Sequence, residues 1–69
     1  MNSRKTKTAE EYINLGNILL KSNDYNDAII YYKKAIKIDP DNSIALNNLG
    51  VALEGAGHTD MAIAAYKQS

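Results

Sequence analysis

The triplet Asn14, Leu15, Gly16 recurs as Asn48, Leu49, Gly50, 34 residues later. Laying residues 43–69 over residues 9–35 gives eight identities in twenty-seven pairs. Beyond the triplet these are Leu19 with Leu53, Ala28 with Ala62, Ile29 with Ile63, Tyr32 with Tyr66 and Lys33 with Lys67. Apart from the asparagine and the lysine, the repeated residues are small or apolar. They are packing positions, so the copied feature is a core and not a surface. A fixed period of this size is the mark of a repeat architecture, in which each unit buries its apolar face against the next.

The residue types agree with one such architecture. Counting from Ala9, a pattern of large, Leu, Gly, large, then Ala, aromatic, Ala, Pro falls on Tyr12, Leu15, Gly16, Leu19, Ala28, Tyr32, Ala35 and Pro40. The second copy supplies Leu46, Leu49, Gly50, Leu53, Ala62 and Tyr66, with Ser69 where the next alanine would fall. With the 34-residue period, this strongly resembles the tetratricopeptide repeat family over residues 9–69. The departures (Tyr12 and Leu46 where Trp is frequent, Leu19 and Leu53 where Tyr is frequent) keep bulk where bulk is needed. The resemblance implies an all-α fold of four helices in two tandem antiparallel hairpins, with repeats at residues 9–42 and 43–69 of a domain covering 8–69. It also implies that Gly16 faces Ala28, and Gly50 faces Ala62, across each hairpin.

Local signals place the helices. Thr8 and Glu11 have capping-box spacing, opening the first helix. Tyr12, Leu15 and Leu19, with Ile18 on a neighbouring stripe, follow the period of one buried helical face. Lys21, Ser22 and Asn23 break the pattern, and Asp24 and Asp27 occupy N-cap and N3 of a second helix running from about Tyr25 to Ile38. Its inward residues are Ala28, Tyr32, Ala35 and Ile36, flanked by Ile29 and Ile38. The helix ends at Asp39 before Pro40, because residues preceding proline avoid the α region. Asn42 or Asp41 caps a third helix from about Ser43 to Gly55; the run Gly55, Ala56, Gly57 is a turn, and a fourth helix opens near Thr59.

Composition narrows the function classes. Sixty-nine residues make one small domain, at a size where a lone core is marginal. There is no cysteine, hence no disulfide or thiolate metal site. No apolar run is long enough for a membrane span and no signal-peptide core is present, which points to a cytoplasmic chain. The net charge of zero divides into a basic leader with Arg4, Lys5 and Lys7, and a body with five lysines against eight acids. Residues 1–7 read as a flexible leader, and a body of net −3 gives no footprint for nucleic acid. His58 is the lone histidine and sits in a turn; no phosphate loop, metal cluster or nucleophile–base set stands out, so neither an enzyme nor a cofactor is expected.

What remains is an interaction module. In the resembled family the first helix of each repeat lines a concave groove for peptides. By position that lining is Glu10, Ile13, Asn14, Asn17, Leu20 and Lys21, then Ile44, Asn47, Asn48, Val51 and Glu54. Asparagine is a poor helix-interior residue, and four on one stripe need a further reason. A carboxamide carries both a donor and an acceptor, as a peptide backbone requires. Two readings stay open: the asparagines grip a bound chain, or they are simply solvated residues that bond a neighbouring helix. Asn17 and Asn48 match the asparagines of the family's carboxylate clamp, but Ile13 replaces its first basic residue and its other basic residues would come from a third repeat. The second function class is self-assembly. A final hairpin without a following helix leaves parts of Leu53, Ile63 and Tyr66 open, expected to drive end-to-end stacking or helix exchange in a homo-oligomer.

Overall fold

The computed structural model describes residues 8–69, so the leader assigned to residues 1–7 lies outside the described residues. Four helices follow one another: α1 (Ala9–Lys21), α2 (Tyr25–Ile38), α3 (Ser43–Gly55) and α4 (Thr59–Gln68). The bounds agree with the sequence signals because those signals are local hydrogen-bonding devices. Thr8 Oγ1 accepts from the Glu11 amide at 3.2 Å, and Glu11 Oε1 accepts from the Thr8 amide at 2.7 Å, completing the capping box. Asn42, not Asp41, caps α3, its Oδ1 accepting from the Ala45 amide at 3.0 Å. Asp24 and His58 hold the N-cap positions of α2 and α4 without a side-chain capping bond.

Those two helix starts are instead fixed by the turns before them, which share one design. The Asp24 amide donates to Leu19 O at 2.9 Å and the Asn23 amide to Leu20 O at 3.0 Å. One repeat later the His58 amide donates to Leu53 O at 2.8 Å and the Gly57 amide to Glu54 O at 3.1 Å. Crossed bonds of this kind close a Schellman turn around a left-handed residue. That residue is Asn23 (φ 63°) in the first hairpin and Gly57 (φ 91°) in the second. Asparagine tolerates this conformation and glycine adopts it without a Cβ clash, which explains both residues.

α1 packs against α2, α3 against α4, and α2 against α3, whereas α1 and α3 touch only sparsely. One apolar cluster runs through all four helices, including Ile13, Ile29 and Tyr32, then Leu49, Leu53 and Ala62. Two helical glycines sit directly beneath tyrosine rings. A Cβ on Gly16 would stand 2.6 Å from Tyr32 Cε1, and one on Gly50 would stand 2.5 Å from Tyr66 Cε1. The closest approach to each glycine is by an aromatic ring. Gly55 is likewise helical and lies beneath the Tyr25 ring, so it serves packing between hairpins, and only Gly57 supplies the left-handed turn residue.

Several residues expected inside lie outside, and the reverse. Ile18 and Ile38 are exposed. Ile18 faces the side of α1 that no helix covers, and Ile38 is the last residue of α2. Ile13 is buried in the shared cluster, so it is removed from the open groove lining. Leu53 is also buried, so the uncovered C-terminal surface does not include it.

Candidate functional site

The α1–α3 side carries the asparagine stripe. Its centre is Asn17, whose Oδ1 accepts from the Tyr32 hydroxyl and, at 3.0 Å, from Asn48 Nδ2. One carboxamide thus ties α1 to α2 within the first hairpin and to α3 of the next. Tyr32 is fully buried, and that desolvation pushes its phenol pKa up to about 12. Keeping the phenol neutral keeps it a donor to Asn17 through the physiological range.

Around this knot the other expected residues divide. Asn14 and Asn47 are exposed, and their carboxamides make no hydrogen bond among the described residues. Asn48 is half-buried and donates an amide N–H to Asn17, and its carbonyl oxygen makes no hydrogen bond among the described residues. Ile44 and Val51 are exposed apolar residues, Leu20 is half-buried against the core, and Lys21 and Glu10 are exposed charges. Glu54 is engaged, its Oε1 accepting from the Tyr66 hydroxyl at 3.0 Å. Burial first, then the Glu54 hydrogen bond and charge, hold the Tyr66 phenol above its ordinary pKa.

Within the stripe Asn17 bonds its neighbouring helices and Asn48 does so in part, while Asn14 and Asn47 keep unspent donors and acceptors. Sequence reasoning did not reveal the pairing of Asn17 with Tyr32, although the 34-residue register carried a clue. Position 51, equivalent to 17, is valine, so Tyr66 has no asparagine to reach and takes Glu54 instead. The surroundings of Lys34 are equally hidden in the sequence. In the structure the Lys34 ammonium lies 5.7 Å from the centroid of Tyr12 and 5.8 Å from that of Tyr31, and these two rings stack at 6.0 Å. Tyr31 and Lys34 are three residues apart on α2, but Tyr12 comes from α1, so local periodicity does not announce the whole cluster.

Among the described residues no group of three His, Cys, Asp or Glu side chains could hold a metal ion, and no helix is long and apolar enough to cross a membrane.

Comparison with known proteins is consistent with this geometry. Two models described as tetratricopeptide repeat match residues 9–42 and residues 31–64. The second match bridges the hairpins, beginning within α2 and ending within α4. A curated relative, "Protein STIP1 homolog" of Dictyostelium discoideum, is 37% identical over 51 residues, covering 74% of this chain. The chain spans 9% of that relative's length. The 34-residue register of the sequence, the paired hairpins and the matches across residues 9–64 lead to one assignment: the chain belongs to the tetratricopeptide repeat family.

Proposed function

We propose that this chain is a protein-interaction module that holds an extended peptide along the α1–α3 side. The observation that carries the reading is the pair Asn14 and Asn48, one repeat apart, each with carboxamide capacity not consumed by the fold. A bound backbone offers alternating N–H and C=O groups, and a carboxamide meets both. Ile44 and Val51 add exposed apolar contact for a ligand side chain. Ile13 plays no direct part, being buried, and the carboxylate clamp is not the mode favoured, since Ile13 stands where its first basic residue would fall.

The test is a titration of isotopically labelled protein with short unstructured peptides that differ in charge and in their C-terminal group. Amide shifts should gather at Asn14, Asn47, Asn48 and Val51. Asn14→Ala should weaken binding by roughly tenfold with the fold intact, the order expected for one or two lost ligand hydrogen bonds. Peptide shifts that map elsewhere, or full affinity in Asn14→Ala, would remove the proposal. Asn48→Ala is the less clean probe because it also breaks the bond to Asn17.

A second reading, self-assembly through α4, is favoured by one comparison. Ile29 is 8% exposed beneath the following hairpin, and its equivalent Ile63 is 49% exposed. Sedimentation across a wide concentration range decides it. Mass that rises with concentration and is lost in Ile63→Asp supports assembly; a folded monomer throughout eliminates it.

A further inference from the structure

The N-terminal side of the first hairpin is the face that the register leaves most altered. α3 follows a hairpin and α1, among the described residues, does not. At equivalent positions Ala52 is 0% exposed and Ile18 is 62% exposed, while Leu49 is buried and Leu15 only half-buried. The chain's own α2–α3 junction shows what covers such a face, namely a helix.

Two depressions mark it, both lined by α1 and α2 alone. One is formed by Leu15, Leu19, Asp27, Ile30, Tyr31 and Lys34, the other by Tyr12, Lys34, Lys37 and Ile38. They meet at Lys34, giving a trough with an aromatic and aliphatic floor. The antiparallel pairing of α1 and α2 puts the cations Lys34 and Lys37 along one end and Asp27 at the other.

A second copy of the chain fits this trough poorly. Where α3 buries Ala45 and Ala52 at its junction, α1 carries Glu11 and Ile18. A carboxylate and a larger side chain obstruct docking of α4 in the internal geometry. The leader is no better suited, since Arg4, Lys5 and Lys7 have the sign of Lys34 and Lys37.

We propose that this trough docks an amphipathic helix of a partner protein, with an apolar stripe on the floor and carboxylates facing Lys34 and Lys37. Ridge-into-groove contact with Ile18, Leu15 and Tyr31 supplies the apolar burial, and opposite charge at the basic end sets the orientation. This surface is separate from the asparagine stripe, so the two proposals stand or fall independently.

The probes are two synthetic stapled helices about four turns long, identical in their leucine stripe, one flanked by glutamates and the other by lysines. The glutamate helix should bind about tenfold more tightly at low salt, with the difference shrinking as salt is added. Amide shifts should centre on Tyr12, Leu15, Ile18 and Tyr31. Joint Lys34→Glu and Lys37→Glu substitution should reverse the preference, and Ile18→Asp should abolish binding of both; all three side chains are exposed, so the fold should survive. Asn14→Ala should leave this binding unchanged. Equal affinity of the two helices at low salt, or shifts centred on Asn14 and Asn48, would overturn the proposal. So would a peptide-free dimer that Ile18→Asp dissociates, which would make a second copy the occupant.

Discussion

Tyr32 and Tyr66 are the same residue of two consecutive repeats, each above a glycine, and they differ in burial and in hydrogen-bond partner. Tyr32 is fully buried and its hydroxyl donates to Asn17, which is itself held by Asn48 of the following hairpin. Tyr66 is half-buried and its hydroxyl donates to Glu54 in an exposed bond. The same contrast holds for Ile29 and Ile63. A repeat of this kind therefore acquires much of its core from its successor, and the second repeat carries equivalent residues that nothing among the described residues completes. Position in the stack, not residue identity, decides what a side chain contributes.

The largest test of that contrast is truncation. Tyr32→Ala should cost about 3–5 kcal/mol, the range for removing a buried aromatic side chain. In a domain of this size that is enough to abolish the cooperative unfolding transition in chemical denaturation. Tyr66→Ala should retain a transition. Equal losses would show that the second tyrosine is covered in solution, as assembly through α4 would make it.

Ile29→Ala should cost about 2–4 kcal/mol and Ile63→Ala within about 0.5 kcal/mol, by the difference between core and surface sites. The glycines sharpen the comparison further. An added methyl at either Gly16 or Gly50 meets a tyrosine ring. Beneath the enclosed Tyr32 the ring cannot yield, so Gly16→Ala should cost about 1–3 kcal/mol. At Gly50 the freer Tyr66 can swing outward, and the roughly 1 kcal/mol helix gain of alanine over glycine offsets much of the strain. Thermal unfolding of the two variants under identical conditions measures the difference.

The smallest effects concern the hydroxyls. Tyr32→Phe should cost about 1 kcal/mol, since Asn17 loses one donor but keeps Asn48. Tyr66→Phe should be close to neutral because its bond is exposed. Alkaline pH probes the same asymmetry. With the folded Tyr32 pKa at about 12 against an ordinary value of 10, the native state holds its proton where the unfolded state has lost it. Its contribution is complete below about pH 10 and is lost as pH rises toward 12. Ultraviolet titration of tyrosinate, with Tyr32→Phe as the reference, should lose the latest-ionising phenol in that variant.

The helices, their ends and the hairpin pairing were legible in the sequence. These depend on short-range chemistry that residues display in order: the Thr8 and Glu11 box, Asn42 as a cap, Pro40 as a stop and glycine at position 57 for a left-handed turn. The 34-residue register further showed which positions pack. It could not show on which side each apolar residue would be covered, because coverage depends on helices distant in the chain. The packing of the two hairpins put Ile13 inside and Ile18 outside, made Asn17 the joint between Tyr32 and Asn48, and set Lys34 over two tyrosine rings. Those outcomes depend on how two hairpins sit against one another, where a side chain's partner is chosen by distance in space and not by spacing along the chain.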